Sequence, residues 1–263
     1  MPESDLSLLV AAARQAGQIA QGYFQRDPEV IDKPDGAGPV TAADLAVNAM
    51  LEDRLRAARP DYGWLSEETE DTGARLATRR QFVIDPIDGT RAFIEGSKDW
   101  AHSLAVVEDG VPVAAAVYVP MRDLMFSAAL DVPAAMNGER LAAATGDTIP
   151  AVVLASKANF ESRHWRGGKL PGITRAFRSS LAYRLCLVAK GRFDAMLTLR
   201  PSWEWDIAAG ALIAGQAGAV VTDQHGAALR FNNPQPLVPG VVAGGPALHQ
   251  RLVGHLEAPA PSA

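Results

Sequence analysis

The amino-acid sequence predicts an α+β fold in which an antiparallel first half precedes a half where helices and strands alternate. Two apolar runs at 102–107 and 113–119, joined by Glu108-Asp109-Gly110, predict a β-hairpin. The sheets are therefore expected to be mixed and largely antiparallel. Further strands are expected at 124–130, 151–155, 173–177, 193–199 and 219–222.

The N-terminal segment predicts a helix followed by a loop. Ser4 or Asp5 can cap this helix, and apolar residues recur at helical spacing from Leu6 to Ala20. The stretch 26–40 is rich in Pro, Gly and Asp, which favours a loop or a loose hairpin.

A second helix is predicted after Thr41-Ala-Ala-Asp44. This stretch resembles a capping box with aspartate in place of the usual glutamate, and an amphipathic pattern follows over 47–58. Asp44 has two interpretations, as a helix-capping residue or as a metal ligand. The spacing alone favours the cap.

The stretch that organises the chain is an apolar strand pattern at 82–84 followed by Asp85 and Pro86. Pro86 is expected to end the strand, and Asp88-Gly89 to form a turn. Two carboxylates so close together either share a proton or bind a cation. Hard oxygen ligands favour Mg²⁺, which proteins often bind through carboxylates together with substrate phosphate.

Two more acidic residues, Glu67 and Asp206, are candidate ligands for the same cation site. Glu67 comes after the apolar pair Trp64-Leu65, so it belongs either to a solvated acidic loop or to the cavity that Asp85 faces. Asp206 is expected to open a helix over 207–217, as its N-cap or as a ligand. A group of such carboxylates could hold two or three divalent ions, and paired ions can clamp the attacking and leaving oxygens in phosphoryl transfer.

Composition narrows the classes of function. The chain has 263 residues, a net charge of −5 and no apolar run of membrane-spanning length, so neither a membrane nor a nucleic-acid partner is expected. Its one cysteine, Cys186, permits no internal disulfide, which favours a cytoplasmic location. The five histidines are scattered, so a zinc site is not expected.

Charge is unevenly distributed along the chain. The segment 157–200 contains ten basic and two acidic residues, although the whole chain is acidic. This segment is either a solvated basic surface or an anion site next to a metal site.

The acidic motifs together resemble those of the inositol monophosphatase superfamily, which are Mg²⁺-dependent, lithium-sensitive phosphatases. The resemblance extends from about Leu8 to Ala243. It rests on Asp85-Pro-Ile-Asp-Gly-Thr90, Ser66-Glu-Glu68, Thr41-Ala-Ala-Asp44 and Trp205-Asp-Ile-Ala-Ala-Gly210.

This resemblance implies a fold and a set of roles. It implies an αβαβα layered sandwich with lobes at 1–148 and 149–263, commonly a homodimer. It also implies water attack without a covalent intermediate, on a small phosphorylated metabolite. For the metals, the resemblance implies that one Mg²⁺ is held by Glu67, Asp85 and the Ile87 carbonyl, and a second by Asp85, Asp88 and Asp206, with a third near Glu67 and Asp44. It implies that the attacking water is activated by Glu67 and Thr90. It also implies that the phosphate is bound by the amides of Gly89 and Thr90.

The substrate is suggested by a departure from the inositol-specific members. These carry an acidic residue shortly before the Trp-Asp motif, where this chain has Leu197-Thr-Leu-Arg200. Trp203-Glu-Trp-Asp206 instead resembles the 3′(2′),5′-bisphosphate nucleotidases, which remove the 3′-phosphate of 3′-phosphoadenosine 5′-phosphate. Their serine-rich turn resembles Ser179-Ser-Leu181, although Ala182-Tyr183-Arg184 replaces the lysine usual after it. The expected substrate-binding residues are Arg178, Ser179, Ser180, Arg184, Arg200 and Glu204.

Three alternatives remain open at this level. Inositol 1-phosphate and histidinol phosphate are substrates of other members, and Arg91 matches the motif of the histidinol-phosphate enzymes. A non-catalytic regulator that binds RNA-related machinery would also accommodate the basic segment.

Overall fold

A computed structural model describes residues 3–26, 30–32, 38–146 and 149–257. The predicted loop at 26–40 lies partly outside these residues, but its described parts, β1 (Val30–Asp32) and β2 (Pro39–Thr41), pair antiparallel. The predicted boundary between 148 and 149 falls at a gap in the described residues, so the division into lobes stays a prediction.

The described residues contain six α-helices, and none of them is long and apolar enough to cross a membrane. Ser4 caps the first helix, as the sequence predicts, and Ser180 caps the fourth. The helices are α1 (Asp5–Tyr23), α2 (Ala42–Ala58), α3 (Thr90–Ile94), α4 (Leu181–Ala189), α5 (Glu204–Gln216) and α6 (Pro246–His255).

A seven-stranded sheet occupies the first half of the chain. Its first two strands are parallel and the other neighbours are antiparallel. The predicted hairpin is confirmed: Asp109 and Gly110 both have positive φ, as a tight two-residue turn requires. The strands, in sheet order, are β3 (Gly63–Ser66), β4 (Arg80–Asp88), β5 (Ala101–Glu108), β6 (Val111–Val119), β7 (Leu124–Ala129), β8 (Val132–Met136) and β9 (Glu139–Arg140).

A mixed five-stranded sheet, in the order β11-β10-β12-β16-β14, forms in the second half. In a separate two-stranded ladder, β13, which directly precedes α5, pairs antiparallel with β15. The strands are β10 (Ala151–Leu154), β11 (Ile173–Ala176), β12 (Ala195–Thr198), β13 (Ser202–Trp203), β14 (Val220–Thr222), β15 (Leu237–Val238) and β16 (Val241–Gly244).

The helices and sheets pack in layers through three clusters of buried hydrophobic residues. Phe82 of β4 packs with Leu9 of α1 on one face of the seven-stranded sheet. Its neighbour Val83 faces the opposite way and belongs to the cluster of Leu185, in which α4 and α5 lie between the two sheets. Leu248 of α6 packs on the far face of the five-stranded sheet. The layer order is αβαβα, and the predicted mixed α+β fold is confirmed.

Strand β4 does not end at Asp85, which corrects the sequence prediction. Asp85 pairs with Ser103 and Asp88 pairs with Ala101, so β4 accommodates one residue more than β5 between these two pairs. Pro86 lies in this bulge because it has no N–H to give to the ladder, and pairing resumes beyond it.

Close packing between α4 and α5 requires a glycine at position 210. A Cβ atom at Gly210 would lie 2.7 Å from the Leu185 side chain. We therefore expect Gly210→Ala to lower the free energy of unfolding by about 1–3 kcal/mol, although alanine favours helix formation. Urea unfolding measures this change.

Gly215 provides the matched control in the same helix, because a Cβ there would meet no atom within 4 Å. Gly215→Ala should leave stability unchanged or raise it by up to about 1 kcal/mol. Equal effects of the two substitutions would contradict the packing argument.

Candidate active site

The bulge in β4 determines where its two aspartates point. Side chains alternate between the faces of a regular strand, so residues 85 and 88 would lie on opposite faces. The extra residue restores the alternation, because the partners Ser103 and Ala101 are two positions apart on β5 and share a face. Asp85 and Asp88 therefore point together toward the layer of α4 and α5.

Asp206 reaches the same place from the first turn of α5. The helix begins at Glu204 with Trp203 as its N-cap, so the predicted start at residue 207, with Asp206 as the cap, is wrong by three residues. The Ser103 hydroxyl donates a hydrogen bond to the Trp205 carbonyl (2.8 Å) and thereby fixes this turn to β5 beside Asp85.

The structure brings Asp85, Asp88 and Asp206 into one cluster. One carboxylate oxygen from each lies within 4.8 Å of the others. Burial raises the pKa of Asp85 and of Asp206 well above the usual value, and their acidic neighbours raise both further. Glu67 lines the same cavity, and its charge contributes to both shifts.

Asp88 is held by the N-terminus of α4. Its Oδ2 accepts hydrogen bonds from the Ser180 hydroxyl (2.6 Å) and the Ala182 amide (2.7 Å). Burial raises the pKa of Asp88 to about 6, against the opposing effects of these hydrogen bonds and of the nearby Arg184 charge. Ser180 therefore orients a carboxylate, which differs from its expected contact with substrate.

These carboxylates fit a divalent cation. Asp85 Oδ1 is buried and has no hydrogen-bond partner among the described residues, which is costly unless a cation or water satisfies it. Three clustered carboxylates are the hard oxygen donors that Mg²⁺ prefers. The site therefore fits the predicted Mg²⁺.

Asp44 joins a hydrogen-bonded chain that leads to the site. It forms the predicted capping box with Thr41, so the capping interpretation is confirmed. Its other oxygen accepts from the Thr90 hydroxyl (3.1 Å), which also lies 3.1 Å from the Ile87 carbonyl. Asp44 thus contacts Thr90 directly and is linked through it to the Ile87 carbonyl, and its role as a metal ligand stays a prediction.

Gly89 connects β4 to α3 in a conformation that favours glycine. Its φ is +104°, and a Cβ would meet Trp100 at 3.4 Å. Both Gly89 and Thr90 line the cavity, at the start of α3.

The cavity above the carboxylates has a volume of about 630 Å³. Its walls add cationic and aromatic side chains to the acidic floor. Ser179, which was predicted from its motif, also lines the cavity. The aromatic and cationic residues of the wall include Phe177, Arg184, Arg200, Trp203 and Trp205.

Besides Ser180, two further predicted substrate residues, Arg178 and Glu204, lie outside the cavity lining. Arg178 pairs with Asp99 (3.5 Å) and stacks on Phe193, while its carbonyl accepts a hydrogen bond from Arg184. Glu204 is fully buried and accepts hydrogen bonds from two asparagines. Both positions differ from the expectation of a substrate contact.

Sequence reasoning missed two side chains, one that lines the cavity and one that lies behind it. Phe177 lines the cavity, but nothing in its local sequence distinguishes it from a core aromatic residue. The buried His102 ring contacts the Pro86 carbonyl inside the bulge, a contact that only the strand register reveals. Both depend on tertiary contacts that no motif encodes.

Metal-assisted phosphoryl transfer needs ligands for a cation and room for an anionic ester, and this cavity offers both. The fold and the site therefore define the class of metal-dependent phosphatases.

Comparison with known proteins identifies the family. A family model described as the inositol monophosphatase family matches residues 1–259. Nus factor SuhB of Escherichia coli is 33% identical over 95% of each chain. The 3′(2′),5′-bisphosphate nucleotidase CysQ of the same species is 34% identical over 83% of this chain and 90% of its own. A Thermotoga maritima IMPase structure aligns with a TM-score of 0.79 at 26% identity, covering 93% of each chain.

The chain belongs to the inositol monophosphatase family, and it is a Mg²⁺-dependent phosphatase. The resemblance drawn from the acidic motifs is thereby confirmed.

The clustered carboxylates should make the metal-free protein less stable as pH rises. Because the pKa of Asp88 is raised to about 6, the native state holds its proton over a pH range where the unfolded state has already lost it. Stability should therefore fall between about pH 4 and pH 6, by on the order of 1 kcal/mol or more. Urea unfolding in EDTA measures this trend.

Asp85→Asn should raise the stability of the metal-free protein near pH 7 and flatten this pH dependence, because one repelling charge is removed. Asp61→Asn, on the exposed surface, serves as the control and should change neither. Stability of the metal-free wild type that rises over the same pH interval would contradict the account.

Proposed function

We propose that this phosphatase removes the 3′-phosphate of 3′-phosphoadenosine 5′-phosphate. The observation that carries the proposal is the composition of the cavity wall beyond the carboxylates. It presents aromatic faces and arginines, which suit a planar base and a second phosphate better than a polyol.

The aromatic part of the wall is preassembled. The Trp203 and Trp205 rings stack with centroids 4.7 Å apart and planes 9° from parallel. Trp205 is nearly buried, whereas Trp203 is 42% exposed, so a planar group can extend the stack. Phe177, 46% exposed, adds a second aromatic face.

The cationic part of the wall suits a second anion. Arg184 is buried beside Asp88, and its guanidinium lies 4.6 Å from the centre of the Phe177 ring. Burial lowers its pKa to about 10, so it stays charged at neutral pH. Arg200 is exposed and lines the same cavity. The other basic residues of 157–200, apart from the partly buried Arg178, lie on the exposed surface.

Bound Mg²⁺ would supply a more acidic water and neutralise charge on the phosphoryl and leaving oxygens. Around it, Asp85, Asp88 and Asp206 provide ligands, as the clustering of their oxygens supports. Glu67 accepts the proton of the attacking water, and Thr90 orients that water. The remaining predicted site groups are the Ile87 carbonyl, Asp44, and the amides of Gly89 and Thr90.

Similarity to CysQ supports the nucleotidase assignment, and similarity to SuhB supports a second candidate. SuhB is described as a Nus factor, so a regulatory role on RNA-related machinery is the alternative from a different class. The predicted homodimer, cytoplasmic location and lithium sensitivity remain predictions.

The substrate test compares kcat/KM for 3′-phosphoadenosine 5′-phosphate, adenosine 3′-monophosphate, inositol 1-phosphate and histidinol phosphate. We expect the bisphosphate to be preferred. Arg200→Ala should lower kcat/KM about 10- to 100-fold for the bisphosphate and much less for the 3′-monophosphate, because a charge-assisted hydrogen bond to the second phosphate is lost.

Arg163→Ala is the control, since Arg163 is exposed in the same basic segment outside the cavity lining. Preference for inositol 1-phosphate or histidinol phosphate would overturn the proposed substrate, as would equal losses on both adenosine substrates in the Arg200 variant. Failure to release phosphate from all four would favour the regulatory alternative.

A further inference from the structure

A partly buried polar network, built around the buried Arg75 and Glu204, lies outside the cavity and connects two chain segments that carry site carboxylates. It consists of Asp71, Arg75, Asn232, Asn233 and Glu204. Asp71 follows Glu67 by four positions, and Glu204 precedes Asp206 by two.

Arg75 is the centre of this network, and its side chain is fully buried. Its guanidinium donates to Asp71 Oδ2 (2.8 and 3.0 Å), to Asn232 Oδ1 (2.7 Å) and to the Asn233 carbonyl (2.9 Å). Burial would raise the pKa of Asp71, but the hydrogen bond from Arg75 and the Gly73 amide bring it below the usual value.

Glu204 holds the same asparagines from the other side. Its Oε2 accepts from the Asn232 amide (2.7 Å), and its Oε1 accepts from the Asn233 amide (2.9 Å) and side chain (2.7 Å). Because three N–H groups donate to the Glu204 carboxylate, the side chain at this position has to be a hydrogen-bond acceptor. Asn232 has a φ of +61°, a left-handed conformation that asparagine tolerates better than most residues.

Local packing sets the position of Arg75 against the strand that leads to Glu67. A Cβ at Gly63, the first residue of β3, would lie 2.9 Å from Arg75 Cβ and 2.5 Å from the Thr78 hydroxyl. Burying an arginine and a glutamate costs desolvation energy, which makes such a network poor evidence for stability alone.

We propose that Arg75 and Glu204 are positioning residues that set the separation between Glu67 and Asp206, and thereby the affinity of the site for Mg²⁺. The inference rests on the proposed metal-ligand role of those two carboxylates. The network ties the Glu67 loop to the first turn of α5, so its loss lets the two ligands separate. Loss of a hydrogen-bond partner of a metal ligand commonly changes metal affinity about 10- to 100-fold, and Arg75 and Glu204 act one step further out, through the backbone segments that carry the ligands.

The test measures Mg²⁺ binding by isothermal titration calorimetry, with Mg²⁺-induced thermal stabilisation as a second readout. Glu204→Gln keeps the side-chain volume but places an amide N–H against the asparagine donors. Arg75→Lys keeps the charge but cannot make all the contacts. Each should raise the Mg²⁺ Kd about 10- to 100-fold. Asp71→Asn, at a partly exposed position, is a milder variant and should shift the Kd in the same direction.

Arg59→Lys is the matched control, because Arg59 also bridges Asp5 and the Glu3 carbonyl away from the site. It should lower stability and leave the Mg²⁺ Kd unchanged. If the network variants lower stability but keep the wild-type Kd, the proposal is wrong. A change in substrate preference at unchanged Kd would restore Glu204 as a substrate contact and also overturn it. A wild type that binds no Mg²⁺ would instead refute the underlying ligand assignment.

Discussion

One extra residue in strand β4 is the constraint on which the site depends. Without it, Asp85 and Asp88 would lie on opposite faces of the sheet. With it, both face the layer between the sheets, where Asp206 arrives on α5. Three carboxylates packed this closely repel one another, so the arrangement is stable only with a bound proton or cation. The bulge in β4 brings the carboxylates together, and their mutual repulsion in turn creates the need for a metal.

Other parts of the molecule reduce the repulsion between these carboxylates and hold them in position. The α4 N-terminus and Arg184 stabilise Asp88, and Ser103 fixes the turn that carries Asp206. The Arg75–Glu204 network connects that turn with the Glu67 loop. The proposed substrate-binding wall of aromatic and cationic side chains adjoins these carboxylates, since Arg184 lines the cavity and also acts on Asp88.

Local patterns predicted much of this structure. The hairpin turn at Asp109-Gly110 and the capping box at Thr41 follow from nearby residue types, and the convergence of the aspartates was implied by the resemblance of their motifs to a known family. The continuation of β4 past Pro86 and the burial of Glu204 do not, because β5 and the 232–233 loop impose them from a distance. Phe177 was missed for the same reason. Sequence reasoning succeeded where spacing along the chain determines geometry and failed where a distant partner does.

The most direct test of the central claim is anomalous diffraction from crystals of the protein grown with Mn²⁺ in place of Mg²⁺. The account predicts anomalous density among the carboxylates of Asp85, Asp88 and Asp206, with Asp85 contacting more than one ion. Crystals that show these side chains well ordered, with Mn²⁺ bound elsewhere or not at all, would contradict it.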